Sequence, residues 1–183
     1  MGEAFLIGSG VQGSVKSIQF FDNTALPLFG SSELSITHTL DFPVNMNRSI
    51  IITQVRATNQ STWRSDASKA YVKFQDNQTL YAERCVGSST YHAITSGFVI
   101  EFDNVRRKIS DLVFLESGYI NSVDLPDNIN LDKCIVSYSS NTEFSGINGM
   151  FPLELELKYV VGEPKLVFAQ LAKNVYYEIL EFF

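Results

Sequence analysis

Short runs of β-branched and aromatic residues, some alternating with polar positions and some continuous, recur along the chain. Leu153-Glu-Leu-Glu-Leu-Lys-Tyr159 alternates strictly, which predicts a strand with one face packed inward and the other in water. Comparable stretches are Ala4–Ile7, Val15–Phe21, Leu34–Leu40, Ser49–Ala57, Ala70–Gln75, Thr79–Arg84 and Gly97–Asp103. They continue as Ile109–Leu115, Tyr119–Leu125, Cys134–Ser139, Leu153–Val161, Leu166–Leu171 and Val175–Phe183. Gly, Pro, Asn, Asp or Ser bounds most of them, as expected where strands end in turns. Helical periodicity is scarce, and its best candidate is a turn or two near Asp66–Ala70.

The phrases recur in order. Leu40-Asp-Phe-Pro43, an Asn-rich turn and Ser49-Ile-Ile-Ile52 match Val123-Asp-Leu-Pro126, a second Asn-rich turn and Lys133-Cys-Ile-Val136. Each copy then carries a polar loop, Thr58–Lys69 or Ser139–Gly149, and closes on Val99-Ile-Glu-Phe102 or Ile179-Leu-Glu-Phe182. Upstream, Val15–Phe20 and Ile109–Phe114 pair as opening strands. An all-β pattern with no room for crossover helices excludes a parallel sheet. The expected architecture is therefore two tandem small antiparallel β-sandwich domains related by internal duplication. Residues 15–104 form the first and 105–183 the second, preceded by an N-terminal docking leader over 1–14.

Charge and composition narrow the function. The chain of 183 residues carries 14 basic and 20 acidic side chains, a formal net charge of −6, and no basic run longer than Arg106-Arg107-Lys108. Nucleic-acid binding requires clustered cations that displace phosphate counterions, so nucleic acid is not expected as a partner. No stretch reaches the roughly 20 apolar residues of a membrane span, and the N-terminus lacks the basic and long apolar regions of a signal peptide. Membrane insertion is not expected, and synthesis in a cytoplasm without export is. Cys85 and Cys134 fall in different halves and are expected to be reduced, packed thiols.

Candidate chemistry is sparse. Gly8-Ser-Gly-Val-Gln-Gly13 matches the dinucleotide fingerprint, but a strand pattern follows where the phosphate-binding helix should begin, so no cofactor is expected. His38, in an alternating strand, and His92, in a polar-aromatic loop, lack neighbours at metal-ligand spacing and are expected at a surface or a sheet edge. Glu101 and Glu181 recur at equivalent places in the two copies rather than flanking one bond, which points to outward-facing structural carboxylates paired with a neighbouring Lys or Arg. No nucleophile–base pair or metal set suggests catalysis. The Asn-x-Ser/Thr triplets at Asn47, Asn59 and Asn77 are chance matches in a chain without an export signal. Loops on a rigid sandwich are the natural place for binding, and two of them hold interface-forming residues: Trp63 and Arg64 in one, Tyr91 and His92 in the other.

A Lys-Ser-Ile-Gln opening strand, an Arg-Ser-Ile-Ile-Ile middle strand and a closing Val-Ile-Glu-Phe resemble a β-rich domain of bacteriophage tail-fibre and other virion structural proteins. Glu3-Ala-Phe-Leu-Ile-Gly-Ser-Gly10 resembles the Gly-rich leader of some phage tail proteins. The resemblance implies a non-enzymatic structural protein of the virion, associated with tail, neck or fibre. Its partners would be other virion proteins and copies of itself, a trimer if fibre-like. Phe5, Leu6 and Ile7 would then dock as an added strand on a neighbour's sheet edge. The alternative is a carbohydrate- or receptor-binding module that meets a host surface through Trp63, Arg64, Tyr91 and His92.

Overall fold

A computed structural model of the chain describes residues 6–7, 14–25, 35–57, 70–84, 93–114, 122–140, 155–168 and 174–183. Among these residues the fold is all β, with thirteen strands, two single 3-10 turns and no α-helix. The first half holds β2 (Val15–Ala25), β3 (Ser35–Thr39), β4 (Ser49–Ala57), β5 (Ala70–Phe74), β6 (Thr79–Arg84) and β7 (Ala93–Phe102). The second holds β8 (Val105–Phe114), β9 (Ser122–Asp124), β10 (Cys134–Ser140), β11 (Leu155–Val160), β12 (Glu163–Phe168) and β13 (Asn174–Phe182). β1 (Leu6–Ile7) precedes both halves in the chain. Every stretch predicted as strand overlaps one of these elements. The one predicted helical turn ends at Ala70, which begins β5, and its other residues lie outside the described set.

Both halves repeat one strand order. In the first, the sheet β2-β7-β4 faces the sheet β3-β6-β5; in the second, β8-β13-β10 faces β9-β12-β11. All of these pairings are antiparallel. A single pair, Ser140 opposite Ala70, joins β10 to β5, so two of the four three-stranded units merge into one larger sheet.

The registers fix which residues correspond. Glu101 lies opposite Ser49 on β4, and Glu181 lies opposite Cys134 on β10. Val15 faces Phe102 as Val105 faces Phe182, with one extra residue bulged out of the opening strand in each half, Lys16 or Arg106. The opening strand equivalent to Val15–Phe20 is therefore Val105–Ser110, and the expected match with Ile109–Phe114 is corrected. The Asp-x-Pro phrases are also out of step. The Leu40 N–H donates to the Gln78 carbonyl as the Leu125 N–H donates to that of Pro164. Asn45 and Asn130 then cap the two 3-10 turns, each side-chain oxygen accepting from the N–H two residues on. The Ser49 hydroxyl donates to the Asn45 carbonyl and the Cys134 thiol to that of Asn130. Backbone hydrogen bonding thus places Leu40 with Leu125, and Asp41 with Pro126.

Each half has a core between its sheets, and Tyr176 and Leu112 of the second half complete that of the first. Ile51, Val72, Leu80 and Val99 are buried in the first core, and Val136, Leu166, Phe168 and Ile179 in the second. A third cluster joins the halves, with Ile50 and Phe102 packed on Ile135, Leu180 and Phe182. The Phe102 and Phe182 rings meet edge to face at 5.2 Å. Alternation explains the division: Ile51 points into the sandwich, so its neighbour Ile50 points out of it towards the second half.

Candidate functional site

Among the described residues no group of His, Cys, Asp or Glu could hold a metal, and no helix is long and apolar enough to cross a membrane. Three other features remain: the buried carboxylates, the junction between the halves, and two outer sheet faces.

Glu101 and Glu181 are 4% and 1% exposed, so the expectation of outward-facing side chains is corrected. The expected cation partners are there. Lys16 Nζ lies 2.7 Å from Glu101. Glu181 accepts from Arg106, from Arg107 and from the Asn130 N–H. The bulge explains both facts, because an extra residue in the opening strand turns a cation back over the carboxylate of the closing strand. Each carboxylate is thus a buried member of an ion pair at one end of a sandwich. Beside Glu181, burial first and the neighbouring carboxylate second push the Cys134 thiol up to about 12. It is a packed, unreactive thiol. Cys85 lies outside the described residues.

Glu178 was not singled out by sequence, yet it is 1% exposed and central to the junction. It accepts from the Ile51 N–H at 2.6 Å, from Lys108 Nζ at 2.5 Å and from the Tyr176 hydroxyl at 3.1 Å. The Ser137 hydroxyl donates to the Ile51 carbonyl, and Lys108 also donates to that of Ser49. The Ser139 hydroxyl accepts from the Val72 N–H and donates to its carbonyl. The outward face of β8-β13-β10 therefore lies over the edges of β4 and β5 and satisfies their main-chain groups, which would otherwise be a template for further strand pairing.

The corresponding face of the first half is different. Glu178 corresponds to Phe98, Lys108 to Ile18, Ser110 to Phe20 and Ser137 to Ile52. Ile18 is 59% exposed, Phe20 54% and Phe98 43%, and Phe20 and Phe98 stack edge to face at 5.1 Å. Single exposed apolar residues are common, whereas these three stand together on one sheet face.

The outer face of β5 and β6 forms an open concavity of about 410 Å³ lined by Tyr71, Lys73, Phe74, Gln75, Tyr81 and Glu83. Both tyrosine hydroxyls donate to Glu83, at 2.6 and 2.7 Å. Burial, then the Glu83 carboxylate, raises the Tyr71 pKa far above its ordinary value. Lys73 Nζ lies 5.8 and 5.4 Å from the two ring centroids. The polar groups are thus turned on one another, and the ammonium occupies the π-faces on which a sugar would stack.

His38 lies on the edge strand β3 as expected, but inside: it is 6% exposed, bonds Thr95 at 2.9 Å and packs near the Phe21 ring. Its expected surface position is corrected, because the inward side of β3 faces the sandwich. Leu6 and Ile7 lie antiparallel to β10 of the same chain, opposite Val136 and Ile135. Phe5, Trp63, Arg64, Tyr91 and His92 lie outside the described residues, as does Gly8–Gly13. No protein-family model matches the chain, and comparison with curated proteins and with solved structures also returns no match.

Proposed function

We propose that the chain is a non-enzymatic structural protein of a bacteriophage virion, associated with tail, neck or fibre, that acts through protein–protein contacts. We further propose that its two halves arose by internal duplication. The observation that carries the contact role is the exposed apolar face of Ile18, Phe20 and Phe98 on an otherwise well-packed sheet. Such a face is costly to leave in water and is stabilised when a partner covers it. Its position in a virion is supported by the resemblance of the strand phrases to tail-fibre proteins. The duplication is supported by the shared bulge, the shared 3-10 turn with its Asn cap, and the equivalent Glu101 and Glu181. Made in the host cytoplasm, the chain would be incorporated into particles beside other virion proteins and copies of itself.

Mass spectrometry and antibody-labelled imaging of purified particles test the assignment. A fixed copy number per particle at one location is the expected result; absence from particles would overturn it. A glycan array separates it from the rival role in host recognition, since selective glycan binding would favour recognition.

A further inference from the structure

The contact between the halves fixes which way the main chain of the first sheet points. The Ile51 N–H and carbonyl turn away from β7, towards Glu178 and Ser137. In an antiparallel ladder these groups alternate in direction from one residue to the next. Val99, opposite Ile51, therefore turns its own groups towards β2, where Gln19 meets them. The N–H and carbonyl groups of Ile18 and Phe20 then point away from the sheet, along the outer edge of β2.

Both residues are exposed, and among the described residues no strand pairs with that edge. Bulges interrupt β2 at Lys16 and at Asp22-Asn23, so unbroken strand geometry is confined to Ser17–Phe21. The outward side chains of that stretch are Ile18 and Phe20, continued on β7 by Phe98. On the inward side, the Gln19 amide bonds the N–H and carbonyl of Phe42, whose side chain is also exposed. A strand laid along β2 would find open main-chain groups at the edge and apolar side chains on both flanks.

The second half treats the equivalent edge differently. The counterparts of Ile18 and Phe20 are Lys108 and Ser110. The 3-10 turn Met46–Arg48 packs against β8, and Lys108 Nζ is committed to Glu178 and the Ser49 carbonyl. Charge on an edge strand opposes further pairing, and Ser17–Phe21 carries none.

We infer that the Ser17–Phe21 edge of β2 is a strand-accepting site, filled by an extended segment of another protein with apolar side chains at alternate positions. Main-chain hydrogen bonds to Ile18 and Phe20 supply affinity, and the apolar flanks select the alternate side chains. The leader strand β1 is not the occupant, because it is already paired with β10. The inference rests on the contact role proposed above and deepens it by giving the partner's chemistry.

The test titrates the isotope-labelled full chain with a synthetic peptide of alternating threonine and valine flanked by lysines. Saturable binding that slows hydrogen exchange at the Ile18 and Phe20 amides is the expected result. Ile18→Pro should keep the thermal melt, since an edge strand tolerates proline where its N–H faces solvent, and should weaken peptide binding roughly tenfold or more. Ile18→Lys, which copies the residue of the second half, should weaken it as well and decides the matter if the proline variant melts early. Binding that is absent, or undiminished in the folded variants, would overturn the site. So would Ile18 and Phe20 amides that are protected without peptide and released on dilution, which would assign the edge to a second copy. A protein that is present in particles but does not bind the peptide would leave the virion role standing without this site. Peptide binding by a protein absent from particles would keep the site and overturn the virion role.

Discussion

Val161 adopts φ 54° in the two-residue turn between β11 and β12, with Gly162 at 86°. That turn favours Asn-Gly, and a β-branched residue in the left-handed region is strained. Val161 is also fully exposed, so the strain is not offset by packing. Val161→Asn should stabilise the fold by about 1 kcal/mol in urea unfolding. Gly97 shows the opposite constraint: a Cβ there would stand 2.0 Å from the Ile52 carbonyl oxygen and 2.8 Å from the Phe21 ring. Since backbone cannot yield as a side chain can, Gly97→Ala should cost about 3 kcal/mol or abolish folding, read from the same unfolding curve. His38 adds a pH dependence. Burial lowers its pKa from the ordinary 6.5, so the folded state holds the ring neutral while the unfolded chain protonates it. The sign follows: stability is full above about pH 6.5 and falls as pH drops from there towards the depressed folded value. His38→Gln should flatten this decline in melts recorded between roughly pH 7 and 5.

At the scale of strands, exposed edges need covering, and here side chains do much of the covering. Glu178 serves the edge of β4 and the charge of Lys108 at once, so its two roles can be separated. Glu178→Ala removes both and leaves a buried cation, which should cost about 3–5 kcal/mol. Glu178→Gln keeps an acceptor for the Ile51 N–H and should cost distinctly less; equal losses would show that the charge pair alone matters. Lys16 is different, because its side chain is 55% exposed and water screens its attraction to Glu101. Lys16→Ala should therefore change chemical-denaturation midpoints by no more than about 1 kcal/mol.

For the whole molecule, the consequence is that the halves depend on one another unequally. The first half leaves the edges of β4 and β5 open and relies on Tyr176 and Leu112 from the second to complete its core. Residues 1–103 expressed alone should aggregate, while the intact chain should unfold in a single transition by calorimetry. A soluble fragment with a cooperative melt would show that the first sandwich is self-sufficient.

Alternating or continuous runs of β-branched and aromatic residues, bounded by turn residues, were enough to locate the strands among the described residues, because a half-buried sheet imposes a period of two on the sequence and a fully buried strand a continuous apolar run. The recurring Val-Ile-Glu-Phe and Ile-Leu-Glu-Phe phrases likewise revealed that the halves are alike, and placed Glu101 with Glu181. The exact equivalences elsewhere were not legible. Matching aspartates and prolines set the phrases out of step, whereas backbone hydrogen bonds align Leu40 with Leu125. Burial of the two glutamates was hidden too, since a bulge that turns Lys16 or Arg106 over a carboxylate is a property of strand pairing and has no distinctive composition. The apolar face was visible in the sequence only as ordinary strand residues. Whether Ile18, Phe20 and Phe98 meet a core or water depends on which sheet lies across from them, and long-range packing alone decides that.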